Sequence, residues 1–156
     1  MMPLDRAVIQ YNRGMTDQQL DALKIPPHSV EAEQSVIGGL LLENEALDKV
    51  ADILTAKDFY RHDHKLIFQH IAKLIEHNKP GDIVTVAESL ENSAELSSIG
   101  GIAYLGALAQ STPTAANIRR YAEIVHERAV MRQLVVVAQA LPKAHMHQTV
   151  AMLSNC

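Results

Sequence analysis

The sequence predicts an all-α protein: a compact multi-helix head followed by one long helix. Three observations lead there. Apolar residues recur at helical spacing in separate segments, as in Leu47, Val50, Ala51 and Leu54. Apolar content is 47%, but there are only two Phe, four Tyr and no Trp. A core of Leu, Ile, Val and Ala suits helices packed closely on helices. Finally, residues 115–141 run without a single Gly or Pro, and nothing in them interrupts a helix.

The first helix opens after Pro26-Pro27-His28, where the two prolines stop any earlier helix. Ser29 is its expected cap, and Glu31 and Glu33 place negative charge in the first turn, where the helix dipole favours it. Val30, Ile37 and Leu41 form its apolar face, widened by Val36 and Leu40. Gly38-Gly39 stands inside this helix although each glycine costs roughly 1 kcal/mol relative to Ala there. The pair marks a site of close helix packing; a phosphate loop is excluded because no lysine follows any glycine.

A second helical segment is expected at 47–54. Phe59 and Tyr60 should then anchor a corner in the core, given their large apolar area. A third helix runs from about Asp63 to His77, burying Ile67, Ile71, Leu74 and Ile75, and ends at Asn78-Lys79-Pro80-Gly81. Ile83-Val84-Thr85-Val86 resembles a strand locally, but Thr85 and Glu88 form a capping-box pattern, so a short helix is expected. After Gly100-Gly101, Ile102, Leu105 and Leu108 mark another short helix ending near Gln110.

Ser111-Thr112-Pro113-Thr114 is the clearest boundary, with Thr114 the expected cap of the long helix. The helix from Ala115 to Leu141 would be about 40 Å long at 1.5 Å per residue. Tyr121, Ile124, Arg128, Met131, Val135 and Ala138 alternate by three and four along it, a coiled-coil-like seam that Arg128 interrupts. Such a helix needs a partner surface. The expected organisation is a mobile tail at 1–25, a helical head at 26–112, the long helix at 113–141 and a tail at 142–156.

Charge is uneven. Residues 28–113 carry six Lys/Arg against thirteen Asp/Glu, whereas 114–141 carry four Arg against two Glu. An acidic head disfavours autonomous DNA binding, which depends on neutralising phosphates. The one cysteine, Cys156, excludes an internal disulfide and fits a reducing, cytoplasmic setting. No apolar run approaches the ~20 residues that span a bilayer, and no signal-peptide pattern opens the chain.

From Pro26 to about Gln139 the chain resembles the N-terminal domain of DnaB-type bacterial replicative DNA helicases. The likeness rests on ordered blocks: Pro26 to Leu42; Asp58-Phe59-Tyr60 through His64 to Ile67-Phe68; Thr85-Val86-Ala87-Glu88; Gly100 to Leu105; Thr112 to Ile118; and Tyr121 to Val125 with Glu127-Arg128-Ala129. The resemblance implies a helical head followed by a helical hairpin, of which the long helix is the first arm. It further implies that hairpins pair between subunits into a dimer-based collar, that primase docks there, and that ATP, Mg and DNA are handled by a motor domain. The hairpin's returning arm, the linker and that motor domain have no counterpart in this sequence, and 142–156 does not resemble the family. Weakened subunit pairing is the expected consequence.

Candidate chemistry is sparse. The histidine pairs His62/His64 and His145/His147 are spaced by two, whereas helical zinc sites favour a spacing of four. The histidines are therefore read as surface or capping groups, with no metal. No Walker motif or nucleophile elbow exists, so no catalytic or cofactor-binding residue is assigned. The arginines of the long helix can simply be a solvated face with glutamate neighbours. The functional reading makes Arg119, Tyr121, Ile124, Arg128, Met131, Arg132 and Val135 a subunit or primase interface, since arginine is enriched in such contacts. The alternative is direct nucleic-acid binding through the same arginines.

Overall fold

The computed structural model describes residues 25–141, in six α-helices joined by short turns, with no strand among them. The helices are α1 (Val30–Leu42), α2 (Leu47–Val50), α3 (His62–Glu76), α4 (Ile83–Asn92), α5 (Gly101–Ser111) and α6 (Ile118–Ala140). The expected tails, with His145, His147 and Cys156, lie outside the described residues apart from Ile25.

Helix α1 is the central element. Ser29 caps it, its hydroxyl accepting from the Ala32 N–H at 3.3 Å. Eight of its thirteen residues are buried, and α3, α5 and α6 all pack on it. The two glycines allow that crowding. A methyl group at Gly38 would lie 2.5 Å from the Leu108 carbonyl oxygen and collide with Thr112, whereas one at Gly39 would meet the Ile118 side chain at 3.1 Å. The sequence expectation of a packing site holds at both.

Other elements depart from expectation in instructive ways. The second segment is only one turn of α-helix, entered through a tight turn at Asn44–Ala46. There Asn44 clips a distant loop: its amide donates to the Leu40 and Gly81 carbonyls, and its oxygen accepts from the Gly81 N–H at 2.8 Å. Helix α3 ends as expected, with Asn78 in the left-handed region (φ 57°) and the Lys79 N–H reaching back to the Leu74 carbonyl. Helix α4 forms, but its cap is Asp82 rather than Thr85. Asp82 accepts from the Thr85 N–H at 2.9 Å while the Thr85 hydroxyl accepts from the Asp82 N–H. The box therefore sits one turn earlier, and Ile83 and Val84 are helical.

Two apolar residues also lie elsewhere than expected. Phe59 is fully buried against Phe68, but Tyr60 is 38% exposed and lies on the surface. Ile102 points outward while Leu105, Leu108 and Ala109 face the core. The long helix begins at Ile118 and not at Ala115, because the Thr114 hydroxyl accepts from the Ala116 N–H and the Ala115 carbonyl from the Ile118 N–H. Those bonds form a turn that seats Ala115 in the core.

Gly38→Ala should cost about 1–3 kcal/mol as overpacking against a carbonyl oxygen that cannot move aside. Gly39→Ala should stay within about 1 kcal/mol of wild type, since the gain in helix propensity offsets a contact with a mobile methyl. Urea denaturation of the two variants checks the contrast. The Thr85 N–H holds the Asp82 carboxyl below its ordinary value of 3.8. Its contribution is therefore present at neutral pH and is lost as pH falls below that value. Asp82→Ala should lower stability by about 1 kcal/mol at pH 7, and the deficit should shrink in melts below pH 3.8.

Candidate subunit interface

The support for the last helix begins at a buried carboxylate. Glu33, on α1, is 1% exposed and lies 2.6 Å from Nδ1 of the fully buried His64 on α3. It also accepts from the backbone N–H groups of Tyr60 and Arg61. The other ring nitrogen of His64, Nε2, hydrogen-bonds with the Tyr104 hydroxyl at 2.7 Å. Three helices and the 59–61 corner are thereby joined. Among the described residues no buried side-chain nitrogen or oxygen lacks a partner, which is what makes such a network stabilising and not costly.

The corner held by Glu33 carries the Tyr60 ring on its outer side. His28 stacks on that ring with centroids 4.3 Å apart, and the Arg132 guanidinium lies over it at 5.5 Å. Arg132 also donates to the Pro27 carbonyl at 2.8 Å and to the Asp58 carbonyl. One side chain of α6 thus grips both the entry to α1 and the corner.

Helix α6 has two halves. In the first, Ile118, Ala122, Val125 and Ala129 are buried against α1 and its neighbours, so this half belongs to the head's core. In the second, residues 133–140 are all exposed, and the surface carries Leu134 (64% exposed), Val136 and Val137. Lys57, Ala129, Arg132, Gln133, Val136 and Val137 line an open groove of about 390 Å³ beside it.

The residues singled out from sequence fall into three groups. Tyr121, Ile124 and Arg128 are half-buried, flanking the core strip. Met131 and Val135 are exposed and continuous with the apolar surface of the second half. The charged members are largely occupied: Arg119 pairs with Asp52 at 3.4 Å and with Glu123, and donates to the Lys49 carbonyl. Its neighbour Arg120 pairs with Glu123 and Glu127. Among the described residues Arg128 reaches only the Met131 sulfur. No cluster of His, Cys, Asp or Glu among the described residues could hold a metal, and none of their helices is long and apolar enough to cross a membrane.

Residues 25–127 match the family model described as the DnaB-like helicase N terminal domain. The chain belongs to that family. It is 40% identical over 126 residues to the replicative DNA helicase DnaB of Haemophilus influenzae, covering 81% of this chain and 27% of that protein. With the DnaB of Geobacillus stearothermophilus it shares 42% identity over 123 residues, 79% of this chain and 27% of that one. The chain therefore spans about a quarter of the length of these relatives. Among solved structures, the N-terminal domain of DnaB helicase from Mycobacterium tuberculosis superposes with a TM-score of 0.72 at 43% identity, covering 74% of this chain and 80% of that one. The N-terminal domain from Helicobacter pylori shares the fold, with a TM-score of 0.58 at 22% identity, 89% of this chain and 97% of that one.

Within this DnaB-type domain two histidine assignments need correcting. His64 and His70 are neither surface nor capping groups. His64 completes the Glu33 network, and His70 is 8% exposed between the Ser89 hydroxyl and the Glu95 carboxylate. For His64 the signal is present in the third helix, where positions 64, 67, 68 and 71 share one face at spacings of three and four. For Glu33 the sequence offers only a role beside the helix dipole; the tertiary fold alone brings the 59–61 corner to it.

Glu33→Ala should cost about 3 kcal/mol or more, because each buried donor left without a partner costs about 1–3 kcal/mol. Tyr104→Phe removes a single half-buried hydroxyl and should cost about 1 kcal/mol. Chemical denaturation at fixed pH measures both, and equal losses would contradict the central place given to Glu33.

Proposed function

We propose that this chain acts as the N-terminal collar domain of a replicative DNA helicase, associating with other subunits through the second half of α6 and docking primase. The observation that carries the subunit role is the exposed apolar surface of Met131, Leu134, Val135, Val136 and Val137 on a helix that has left its own core. Contiguous apolar exposure of this kind is a mark of a protein–protein contact. The primase role is supported by the family and by the Helicobacter pylori domain of the same fold, which is described with its interactions with primase. In this reading ATP hydrolysis, Mg binding and DNA unwinding belong to other parts of the parent helicase.

The competing reading, nucleic-acid binding through the α6 arginines, has less support. Arg119 and Arg120 are paired with carboxylates and Arg132 is held by carbonyls, leaving few free cations for phosphates.

Light scattering coupled to size exclusion tests the proposal. Mass should rise with concentration into the micromolar range, and Met131→Asp with Val135→Asp should hold the chain at monomer mass with the helical signal of the head intact. A wild-type monomer at all concentrations would contradict subunit association. Fluorescence anisotropy with single- and double-stranded DNA should stay flat at low salt; a rise that collapses with added salt would favour the competing reading.

A further inference from the structure

We propose that the groove between the end of α3 and α4 docks an acidic peptide segment of a partner protein. Two adjoining hollows of about 270 and 230 Å³ share Leu74, Lys79, Ser89 and Asn92, so they form one continuous groove. Half-buried Leu74 and Ser89 make its floor, and the exposed Lys73, His77 and Lys79 stand on its rim. This surface belongs to the head and not to the arm, so the proposal does not rest on subunit association.

Charge singles the groove out. Residues 28–113 hold six Lys/Arg against thirteen Asp/Glu, and Lys73 and Lys79 are two of those six cations. Lys49 is paired with Glu43 and Arg61 with Asp63, whereas among the described residues Lys73 and Lys79 pair with no carboxylate. Glu88, at the Thr85 end, is the only acid among the described residues of the lining. The dipole of α3 favours a cation in its last turn and accounts for Lys73. It does not account for Lys79, which lies past the helix end. Asn78 (φ 57°) turns the chain there, and the Lys79 N–H bonds back to the Leu74 carbonyl. Lys79 is thereby returned to the groove that Lys73 already lines.

The groove is preformed. The Ser89 hydroxyl is tied to the buried His70 ring at 2.7 Å, and the other nitrogen of that ring meets Glu95 at 2.9 Å. At the opposite end, the Asn44 clip on Gly81 holds the loop that leads into α4. A ready-made site loses little to ordering when it binds. Lysine ammonium groups are point charges on long stems and suit carboxylates spaced along a chain. Leu74 offers an apolar spot beside them. The exposed Asn92 and Ser93 side chains, with no hydrogen bond among the described residues, can meet backbone groups of the segment. A hollow of this size takes a few residues of chain and not a folded domain. Phosphates of a nucleic acid suit it less well, because two lysines with Glu88 at one end neutralise few of them.

Fluorescence anisotropy of the full chain tests the assignment, with a labelled twelve-residue peptide carrying four glutamates around two leucines. Binding should saturate and weaken with added salt, and the same peptide with glutamines for glutamates should not bind. Lys73→Glu with Lys79→Glu should weaken binding by roughly tenfold or more. Lys73→Gln with Lys79→Gln should weaken it by a smaller factor, and both double variants should keep the helical signal of the head. Lys57→Glu, at an exposed lysine beside α6, should leave binding unchanged, as should Met131→Asp with Val135→Asp. In nitrogen–proton correlation spectra the amides that shift on binding should be those of residues 73–79 and 89–93. Absence of saturable binding, equal binding of the glutamine peptide, or equal weakening by Lys57→Glu would overturn the proposal. So would a single-stranded DNA oligonucleotide that binds more tightly than the peptide and depends on the same two lysines.

Discussion

The Glu33 carboxylate holds the architecture together. It enters the protein interior on α1 and is satisfied there by three donors: the Tyr60 and Arg61 N–H groups and the His64 ring. A buried carboxylate without such partners would be strongly destabilising. With them, it fixes a corner of backbone that has no regular structure of its own. The corner in turn sends Phe59 inward to the core and Tyr60 outward as the platform for Arg132. Core, corner and long helix are thus linked through one side chain.

Close packing does the rest. Gly38 brings α1 against the end of α5, and Gly39 brings it against the start of α6. Leu40, Ile37 and Val36 then bury completely among Leu105, Leu108, Ile118 and Ala122. Burying aliphatic side chains of this size stabilises a domain by roughly 1.5–3 kcal/mol each. This close-packed assembly ends at Ala129. The head is therefore self-contained, and the second half of α6 is an arm with apolar surface and no cover among the described residues.

Much of this is readable in the sequence wherever a local rule decides the outcome. Helical periodicity locates α3, α5 and α6, Ser29 locates the start of α1, and Gly38-Gly39 announces a close neighbour. Ordered blocks of residues identify the family. Departures arise where tertiary contacts outweigh local pattern. The Thr85–Glu88 pair matches a capping box, but Asp82 three residues earlier captures the Thr85 N–H and starts the helix sooner. Tyr60 has the area of a core residue, yet its neighbours His28 and Arg132 cover it from outside. Arg132 reads as an interface charge because its partners Pro27 and Asp58 are far away in sequence. The sequence pattern places the apolar seam of the long helix on Tyr121, Ile124 and Arg128, whereas the buried strip is Ile118, Ala122, Val125 and Ala129. Two small alanines share that strip with Ile118 and Val125, and they let the helix lie close on the head while the larger Tyr121 and Ile124 flank it.

One helix therefore forms core in its first half and, in the proposed function, a partner-binding arm in its second. Hydrogen–deuterium exchange of the wild-type chain across a dilution series tests this division most directly. Amides of residues 118–129 should be protected to the same degree at every concentration. Amides of residues 133–140 should exchange fast in dilute solution and become protected as concentration rises. Protection of 133–140 that is already complete in dilute solution, or that never rises with concentration, would contradict it.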